Sequence, residues 1–390
     1  MNISSRRGAK HSHSRLSIGC LIQSFLLVML SILALGYYQY YKSFQTVSSA
    51  NDVIRQEVSS SSGQFGLVRR KDNINNAKAT IGYAITVSGC PKGDGARGDF
   101  GAGITDGAAV LKHSIHMNSI QNSDSGSKYD YKMYALVHPE AEHCARPTLE
   151  PLGYEILIRD VPVPLDQIEG EYLRERVSSN GCCGEKEFVK LHAYNLVDHP
   201  AVVHLDLDTL VMKPMDNLFD VMIDGVPKDG SNGGIPVAFG DPIVSSDASG
   251  SKQIDAFFTR DYNMAHRGMK HVGVQGGFLV LRPSISTYKE FASIIRKGDF
   301  RSNGGWGGMG FGPFYGSMTF QGIIPYFYDQ LHAGTGVELD HCVYNNMADN
   351  PRDKPTKNDV VSGSCRDGYT RPDKNDVCED CRSRRFEEVS

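Results

Sequence analysis

Two aspartates at the end of an apolar segment are the feature that most constrains the fold of this chain. Residues 201–212 are mostly apolar but contain Asp206 and Asp208, at positions i and i+2. An apolar run flanked by helical patterns indicates a strand inside an α/β sheet, and such sheets bind ligands at the carboxyl ends of their strands. Burying two carboxylates there costs free energy unless a cation compensates their charge. Oxygen ligands suit Mg²⁺ or Mn²⁺ bridging to a diphosphate. The alternative is structural, with Asp208 or Asp216 starting a helix.

Strand and helix patterns alternate between residues 80 and 350. The strand patterns cover residues 81–87, 133–137, 155–158, 236–239 and 277–281. The helical patterns cover residues 107–120, with Asp106 as the cap, 185–197, 215–223, 253–266, and a helix that Ser284 caps and Gly298 stops. This rhythm is typical of a mostly parallel sheet with helices on both faces. The sequence therefore predicts an α/β fold with one Rossmann-like domain over residues 80–350.

An uncharged segment precedes that domain. Residues 16–41 carry no charged side chain, and four lysine or arginine side chains lie before them. A run of this length can span a bilayer, and its basic flank stays in the cytosol. We therefore expect a cytosolic tail over 1–15, a transmembrane signal anchor over 16–41, and a flexible stem over 42–79. The rest of the chain would lie in the lumen of the Golgi or endoplasmic reticulum. A cleavable signal peptide is the alternative.

The cysteines indicate the cellular compartment of the chain, and the net charge argues against one class of partner. Eight of the nine cysteines lie outside the apolar segment, and an even number in a lumenal chain suggests disulfides. Cys365, Cys378 and Cys381 fall in a polar tail, residues 351–390, where crosslinks would replace a core. A zinc site with a fourth ligand is the alternative there. The net charge of −4 argues against nucleic-acid binding.

Three further segments carry a family resemblance. Residues 187–196 read EFVKLHAYNL, residues 274–284 read VQGGFLVLRPS, and residues 320–325 read FQGIIP. Together with the two aspartates, these segments resemble the core of the glycogenin-like glycosyltransferases, family eight. The resemblance covers about residues 80–350 and implies a GT-A fold. It also implies retaining transfer of a sugar from a nucleotide diphosphate sugar, with a uridine diphosphate sugar as the expected donor. The acceptor would be a glycan, lipid or protein.

The resemblance assigns roles to the residues of the first strand and of the aspartate motif. The motif Asp206–Leu207–Asp208 would hold Mn²⁺ (or Mg²⁺) against the donor diphosphate. Thr86 and Val87, at the end of the first strand, would lie near the base or ribose of the nucleotide.

The same resemblance names three catalytic candidates. Lys190 is adjacent to Val189 and projects about 100° from the apolar face of the predicted helix. In the family, a lysine at this position reaches the donor phosphates, so the resemblance implies that Lys190 stabilises their negative charge. Gln275 and Gln321 would bind the sugar or stabilise an ion pair.

Two departures from the family pattern leave alternatives open. Phe320 stands where the family has an aspartate before Gln321, and nothing after Cys342 matches the family's late histidine metal ligand. Three explanations stay open: the sequence is a truncated gene model, His332 or His341 substitutes as the metal ligand, or the protein binds metal poorly and is inactive. A catalytically inactive, glycan-binding or partner subunit is therefore the alternative to a transferase. A Mg²⁺-dependent phosphate-transferring or hydrolytic enzyme is a third hypothesis.

Overall fold

A seven-stranded sheet is the centre of the computed structural model. The structure describes residues 77–90, 102–227, 233–237, 253–260, 272–340 and 343–345, and the backbone of residues 370–371 and 377–378. Contacts divide the chain into two units, residues 1–72 and 73–390, and every described residue belongs to the second. The predicted cytosolic tail, anchor and most of the stem lie outside the described residues. Among the described helices, none combines the length and apolar character that a membrane span requires.

The strands and helices are numbered along the chain. The strands are β1 (Ala79–Val87), β2 (Tyr129–Val137), β3 (Glu155–Ile158), β4 (Val202–Leu205), β5 (Ala256–Arg260), β6 (Val274–Leu281), β7 (Phe300–Arg301), β8 (Gly305–Trp306), β9 (Gly336–Glu338), β10 (Thr370–Arg371) and β11 (Val377–Cys378). The α-helices are α1 (Ala102–Met117), α2 (Glu142–Leu149), α3 (Glu171–Arg176), α4 (Asp216–Asp224), α5 (Ile285–Lys297) and α6 (Phe320–Tyr326). The 3₁₀ helices are Pro139–Ala141, Leu165–Gln167, Val177–Ser179 and Gly184–Asn195, and one π-helical turn spans Phe327–Leu331.

The order of the strands creates a crevice. In space the sheet runs β3-β2-β1-β4-β6-β5-β9. The strands β1 to β4 are parallel, and β6 is antiparallel to both of its neighbours, β4 and β5. The chain moves outward from β1 to β3 and then returns to place β4 on the other side of β1. This reversal is a topological switch point, beside which open α/β sheets bind ligands. The structure confirms the predicted α/β class with a mostly parallel sheet.

Hydrophobic side chains cover both faces of the sheet. In β1, Ile85 packs into one layer and Ala84 into the other, because successive side chains of a strand point to opposite faces. The first layer is completed by α1, α2 and α4, and the second by the 3₁₀ helix Gly184–Asn195 with α5 and α6. The strands that carry the candidate site therefore lie in the interior, and only their ends reach solvent.

Two of the sequence predictions for local structure were wrong, and a third falls only partly within the described residues. Where it is described, the helix predicted over 253–266 is the strand β5, because its backbone pairs with β6 on one side and with β9 on the other. Asp106 does not cap a helix, since α1 begins four residues earlier and contains it. The strand predicted over 236–239 is a single bridge between Val237 and Leu339 in the described part.

The helix predicted over 185–197 also differs in type. The chain there forms a 3₁₀ helix, Gly184–Asn195, with about three residues per turn instead of 3.6. Eight consecutive residues, 187–194, are buried, so the helix has no exposed face on that stretch. The spacing used to direct Lys190 away from the core therefore does not apply.

The glycine-rich segment 298–316 places Phe300, Trp306 and Phe311 in the core, whereas Tyr315 is exposed. The strands β7 and β8 form a short antiparallel pair, and Trp306 and Phe311 are fully buried. The Trp306 Nε1 donates a hydrogen bond to the Ser317 carbonyl at 2.8 Å. The buried Trp306 and Phe311 therefore anchor this segment to the domain.

One disulfide confirms the prediction of crosslinks. Cys90, in the loop after β1, is bonded to Cys144 of α2. Cys182 and Cys183 are free thiols. The side chains of Cys342, Cys365, Cys378 and Cys381 lie outside the described residues, so the tail hypotheses remain predictions.

Candidate functional site

The candidate site lies where the carboxyl ends of β1 and β4 adjoin the amino end of β6, which pairs with β4 in the sheet. Asp206 follows the carboxyl end of β4, and its backbone N–H donates to the Gly277 carbonyl at 3.1 Å. Because β6 is antiparallel to β4, the amino end of β6, with Gln275 and Gly276, arrives at this same edge. The structure therefore brings residues from segments 187–208 and 274–277 together beside the switch point.

Lys190 is the electrostatic centre of the site. Only 7% of this residue is exposed, and its Nζ contacts the Glu187 carboxylate at 3.0 Å and the Asp206 carboxylate at 3.2 Å. The Nζ also donates to the Gly276 carbonyl at 3.0 Å. An ammonium group has three donors, so these partners can use all of them. Lys190 thus contacts Asp206 directly, and its contact with donor phosphates stays a prediction.

The 3₁₀ helix explains why Lys190 turns inward. In such a helix, residues i and i+3 lie one above the other, which places Glu187 directly beside Lys190. Burial alone would lower the pKa of Lys190, but the Asp206 and Glu187 carboxylates raise it above its ordinary value. Burial alone would raise the pKa of Glu187, and Lys190 with the Cys182 thiol lowers it. Both side chains are therefore charged at neutral pH.

The two aspartates differ in their surroundings. The Asp206 side chain is 42% exposed, and the partial loss of water around its carboxylate raises its pKa, although Lys190 opposes that shift. Asp208 is exposed. Between them, Leu207 packs on the hydrophobic layer that contains α1. A Cβ on Gly107 of α1 would lie 3.0 Å from the Leu207 carbonyl oxygen. The helix α1 therefore packs closely against the backbone of the aspartate motif.

The double glycine of β6 makes room for these side chains. A Cβ on Gly277 would lie 2.9 Å from the Asp206 Oδ2 and 3.0 Å from the Gln275 Oε1. A Cβ on Gly276 would lie 3.3 Å from the Gln321 Cγ and 3.5 Å from the Lys190 Nζ. Larger residues at these two positions would collide with the polar side chains that lie against β6, which explains why both are glycine.

The two glutamines lie on either side of the glycine pair. The Gly277 N–H donates to the Gln275 Oε1, and the Gln321 Nε2 donates to the Val274 carbonyl at 3.3 Å. Gln321 belongs to the first turn of α6, which brings it against β6. Both predicted residues are thus brought to the site, where they are held by the backbone of β6.

The first-strand candidates are placed differently from each other. Thr86 Oγ1 and His204 Nε2 share a hydrogen bond of 2.8 Å. The Val87 side chain packs in the core, and its carbonyl accepts a hydrogen bond from the His138 N–H at 2.9 Å. Thr86 therefore faces β4, whereas the Val87 side chain is buried and its carbonyl accepts one hydrogen bond. The predicted contacts of both residues with the nucleotide stay predictions.

His204 is a site residue that sequence reasoning missed. It is fully buried on β4, two residues before Asp206. Burial lowers the pKa of His204 well below its ordinary value, and the Lys190 charge lowers it further. Its Nδ1 has no hydrogen-bond partner among the described residues. A histidine within an otherwise apolar strand was the available signal. Glu187 was missed too, because its signal depends on 3₁₀ spacing.

The donor set at the strand end fits a divalent cation that bridges to a phosphate group. Asp206 and Asp208 offer carboxylate oxygens, which Mg²⁺ and Mn²⁺ prefer. A cation that keeps water and phosphate ligands needs only one or two protein carboxylates. A nearby positive charge would also favour the ionised form of Asp206 against its burial. Of the two proposed substitute ligands, His332 pairs with Glu290 at 2.7 Å, and His341 lies outside the described residues.

Comparisons with known proteins complete the description of the site. No protein-family model matches the chain, and no curated protein matches it. Among solved structures, it is similar to the apo form of mouse xyloside xylosyltransferase 1, with a TM-score of 0.37 and 12% sequence identity. The similarity covers 67% of this chain and 86% of that chain. A sugar transferase is therefore a structural neighbour, at a TM-score too low to assign the chain to its family.

Proposed function

We propose that this chain is a glycosyltransferase that uses a nucleotide diphosphate sugar. The observation that carries the proposal is the Glu187–Lys190–Asp206 charge network, placed with Asp208 at the carboxyl end of β4 beside the switch point. Such a crevice suits a nucleotide, and the two carboxylates suit a cation that bridges to a diphosphate. The family resemblance of the surrounding segments supports a sugar donor, with a uridine diphosphate sugar first among the candidates.

Each residue of the site has a role in this proposal. Asp206 and Asp208 would hold Mn²⁺ or Mg²⁺, which supplies Lewis-acid stabilisation of the leaving diphosphate when bound. Lys190 fixes the orientation of the Asp206 carboxylate through its contact at 3.2 Å. Gln275 and Gln321 are proposed to bind the donor sugar, and Thr86 to lie beside the nucleotide.

The finer features of the function are proposals as well. Transfer would retain the anomeric configuration and pass through a species with oxocarbenium character. Either the leaving phosphate accepts the acceptor's proton, or an enzyme nucleophile takes part. The acceptor would be a glycan, lipid or protein in the Golgi or endoplasmic reticulum, with the catalytic domain in the lumen and residues 16–41 as the anchor.

The test compares the Asp208→Asn variant with the native full-length chain. Binding and hydrolysis of uridine and guanosine diphosphate sugars are measured by calorimetry and by nucleoside diphosphate release, with and without Mn²⁺. We expect Mn²⁺-dependent hydrolysis of one donor, lowered on the order of 100-fold by Asp208→Asn. Asp208 is exposed, so the variant should fold normally. Asp198→Asn is the matched control, because Asp198 is also exposed but precedes β4 at its opposite end.

One observation favours the second candidate, a non-catalytic glycan-binding subunit. Asp206 already has a cationic partner in Lys190, so its charge is compensated within the protein. On this alternative the chain would bind a glycan without Mn²⁺, and no donor would be hydrolysed. Equal behaviour of Asp208→Asn and Asp198→Asn would then support the binding subunit over the transferase.

A further inference from the structure

Two consecutive cysteines lie beside the charge network and take no part in the proposed transfer. The Sγ atoms of Cys182 and Cys183 are 2.7 Å apart, and the Cys182 thiol also contacts the Glu187 Oε1 at 2.7 Å. The sulfur atoms and the Glu187 carboxylate all lie within 4.8 Å of one another. Cys182 is exposed and Cys183 is half-buried, so small solutes can reach the pair.

The backbone holds the two cysteines in this position. Gly184 follows them with φ of 60°, a left-handed conformation that favours glycine. A Cβ on Gly184 would lie 2.6 Å from the Ser178 carbonyl oxygen. Before the pair, Asn180 Oδ1 accepts a hydrogen bond from the Met318 N–H at 2.9 Å. The turn is thus fixed at both ends, and the proximity of the thiols is built into the fold.

The two thiols are chemically unequal. The hydrogen bond from Cys182 lowers the pKa of Cys183 to about 7, against the effect of burial, and Ser88 adds a second hydrogen bond that lowers it. The hydrogen bond with Cys183 raises the pKa of Cys182, and burial and Glu187 raise it further. Cys183 therefore supplies a thiolate near neutral pH, and a thiolate is the form that attacks disulfides.

We propose that Cys182 and Cys183 are a redox modification site that forms a vicinal disulfide by exchange with a low-molecular-weight disulfide. The Cys183 thiolate attacks one sulfur of that disulfide, forming a mixed disulfide and releasing one thiolate. Cys182 then gives up its proton, with Glu187 as the adjacent acceptor, and attacks the Cys183 sulfur. The Cys182–Cys183 bond forms and the second thiolate leaves. Two protein thiols are oxidised, and one external disulfide is reduced to two thiols.

The bond would also open readily. Consecutive Cα atoms lie about 3.8 Å apart, whereas unstrained disulfides join Cα atoms roughly 4.4–6.8 Å apart. A disulfide that deviates from this geometry is easier to reduce. The site is therefore reversible in a glutathione buffer, unlike a structural crosslink. Because Cys182 contacts Glu187, oxidation removes a hydrogen bond from the carboxylate that also pairs with Lys190.

The experiment equilibrates the full-length chain in buffers of reduced and oxidised glutathione. Remaining thiols are alkylated, and trypsin releases the peptide Val177–Lys186, which contains both cysteines. With excess oxidised glutathione, this peptide should carry no alkyl groups, and its mass should be lower than that of the dithiol peptide by two hydrogen atoms. Excess reduced glutathione should restore two alkylation sites. In Cys182→Ser, which lacks the resolving thiol, Cys183 should instead retain a glutathione adduct.

Three results would overturn the inference. The pair could stay alkylatable at every ratio of reduced to oxidised glutathione, or the native chain could accumulate glutathione adducts at these positions. Alternatively, a chelator could restore alkylation without any reductant, which would identify a bound metal ion instead of a disulfide. The Cys90–Cys144 crosslink, followed in the same digest, reports whether Cys182→Ser is folded. The outcome does not depend on sugar transfer, so it stands apart from the proposed function.

Discussion

Lys190 keeps a full charge in the interior because each donor of its ammonium group has an acceptor. Removing one partner of a buried ion pair costs about 3–5 kcal/mol, whereas the intact pair adds little net stability. The network of Glu187, Lys190 and Asp206 therefore serves orientation more than stability. It holds the Asp206 carboxylate in one position at a strand end, which a ligand site requires.

Gly277 offers the sharpest test of that orientation at the residue scale. In Gly277→Ala the new Cβ would push against the Asp206 carboxylate at 2.9 Å. A carboxylate can rotate away at small cost in stability, but it then leaves its position near Lys190. We expect Mn²⁺ affinity to fall by about 10–100-fold, measured by calorimetric titration, with little change in the unfolding midpoint.

The neighbouring glycine is the control for this substitution. In Gly276→Ala the Cβ would meet the Gln321 Cγ at 3.3 Å and the Lys190 Nζ at 3.5 Å, an ordinary van der Waals contact, and none of its three nearest atoms belongs to Asp206. Its Mn²⁺ affinity should stay close to that of the native chain. If both variants bind Mn²⁺ as the native chain does, the position of Asp206 is not what the glycine pair protects.

Residues of the site differ in how well the sequence predicts them. Asp206, Asp208, Gln275 and Gln321 were predicted from motifs, and the structure brings these side chains or their backbones to one edge of the sheet. The direction of Lys190 could not be predicted, because it follows from 3₁₀ spacing. A helical pattern in sequence does not distinguish three residues per turn from 3.6 over a short, fully buried segment.

At the scale of elements, α5 has its boundaries set by local chemistry. The Ser284 side chain accepts a hydrogen bond from the Thr287 N–H, and Gly298 ends the helix with φ of 62°. The carbonyl of Tyr194 accepts a hydrogen bond from the Ser284 N–H at 2.8 Å, which ties the start of α5 to the 3₁₀ helix that carries Lys190. Both ends of α5 were predicted correctly because caps are local signals.

Substitutions at the two caps should have different costs. Ser284→Ala should lower the free energy of unfolding by about 1 kcal/mol, since it removes the side-chain cap. Gly298→Ala should cost at least about 1–2 kcal/mol, because it forces a left-handed conformation on a side chain. Its Cβ would also lie 2.9 Å from the Gly170 backbone nitrogen. Urea denaturation measures both values.

Ser293→Ala is the control on the same helix. Ser293 is exposed and lies mid-helix, where alanine is the better helix former. This variant should be as stable as the native chain or slightly more so. A cost equal to that of Ser284→Ala would show that the cap is not the source of the effect.

The strand β5 shows which information a local sequence pattern lacks when it is used to predict secondary structure. Its residues, 256–260, form a strand because β6 pairs on one side and β9 on the other. Both partners are distant in sequence, so a local pattern cannot report them. Strand preference depends on such neighbours more than helix preference does, and the helical interpretation of residues 253–266 failed for that reason.

At the scale of the whole molecule, one aspartate joins α4 to the first two strands. Asp220 contacts the Lys78 Nζ at 2.8 Å, the Lys128 Nζ at 2.6 Å and the Tyr129 hydroxyl at 2.7 Å. Partial burial would raise the pKa of Asp220, but these three partners lower it from 3.8 to about 2. The cluster holds the amino ends of the strands, at the edge opposite the candidate site.

This pKa predicts how the whole fold responds to acid. A carboxyl group whose folded pKa lies below its unfolded pKa stabilises the fold above the unfolded value, and this contribution is lost as pH falls through the folded value. Asp220→Asn should therefore reduce the loss of stability between about pH 4 and pH 2. At neutral pH it should cost about 1 kcal/mol, since the group is partly exposed. Denaturation across pH measures both effects.

Asp198→Asn is the reference for this acid response, because Asp198 is exposed and precedes β4. Its stability should follow the native curve through the whole range. If Asp220→Asn follows that curve as well, the three partners do not hold the carboxylate charged at low pH, and another group governs the acid response.

The direction of β6 has a consequence for synthesis on the ribosome. When translation has reached residue 260, Glu187, Lys190 and both aspartates have been made, but the carbonyl of Gly276 has not. One side of β4 then has no strand to pair with, because its neighbour β6 begins at Val274. An unpaired apolar strand edge can pair with other chains. Every nascent copy therefore passes through an interval in which the strand leading to its aspartates is open to aggregation, and slower elongation across residues 225–273 lengthens that interval.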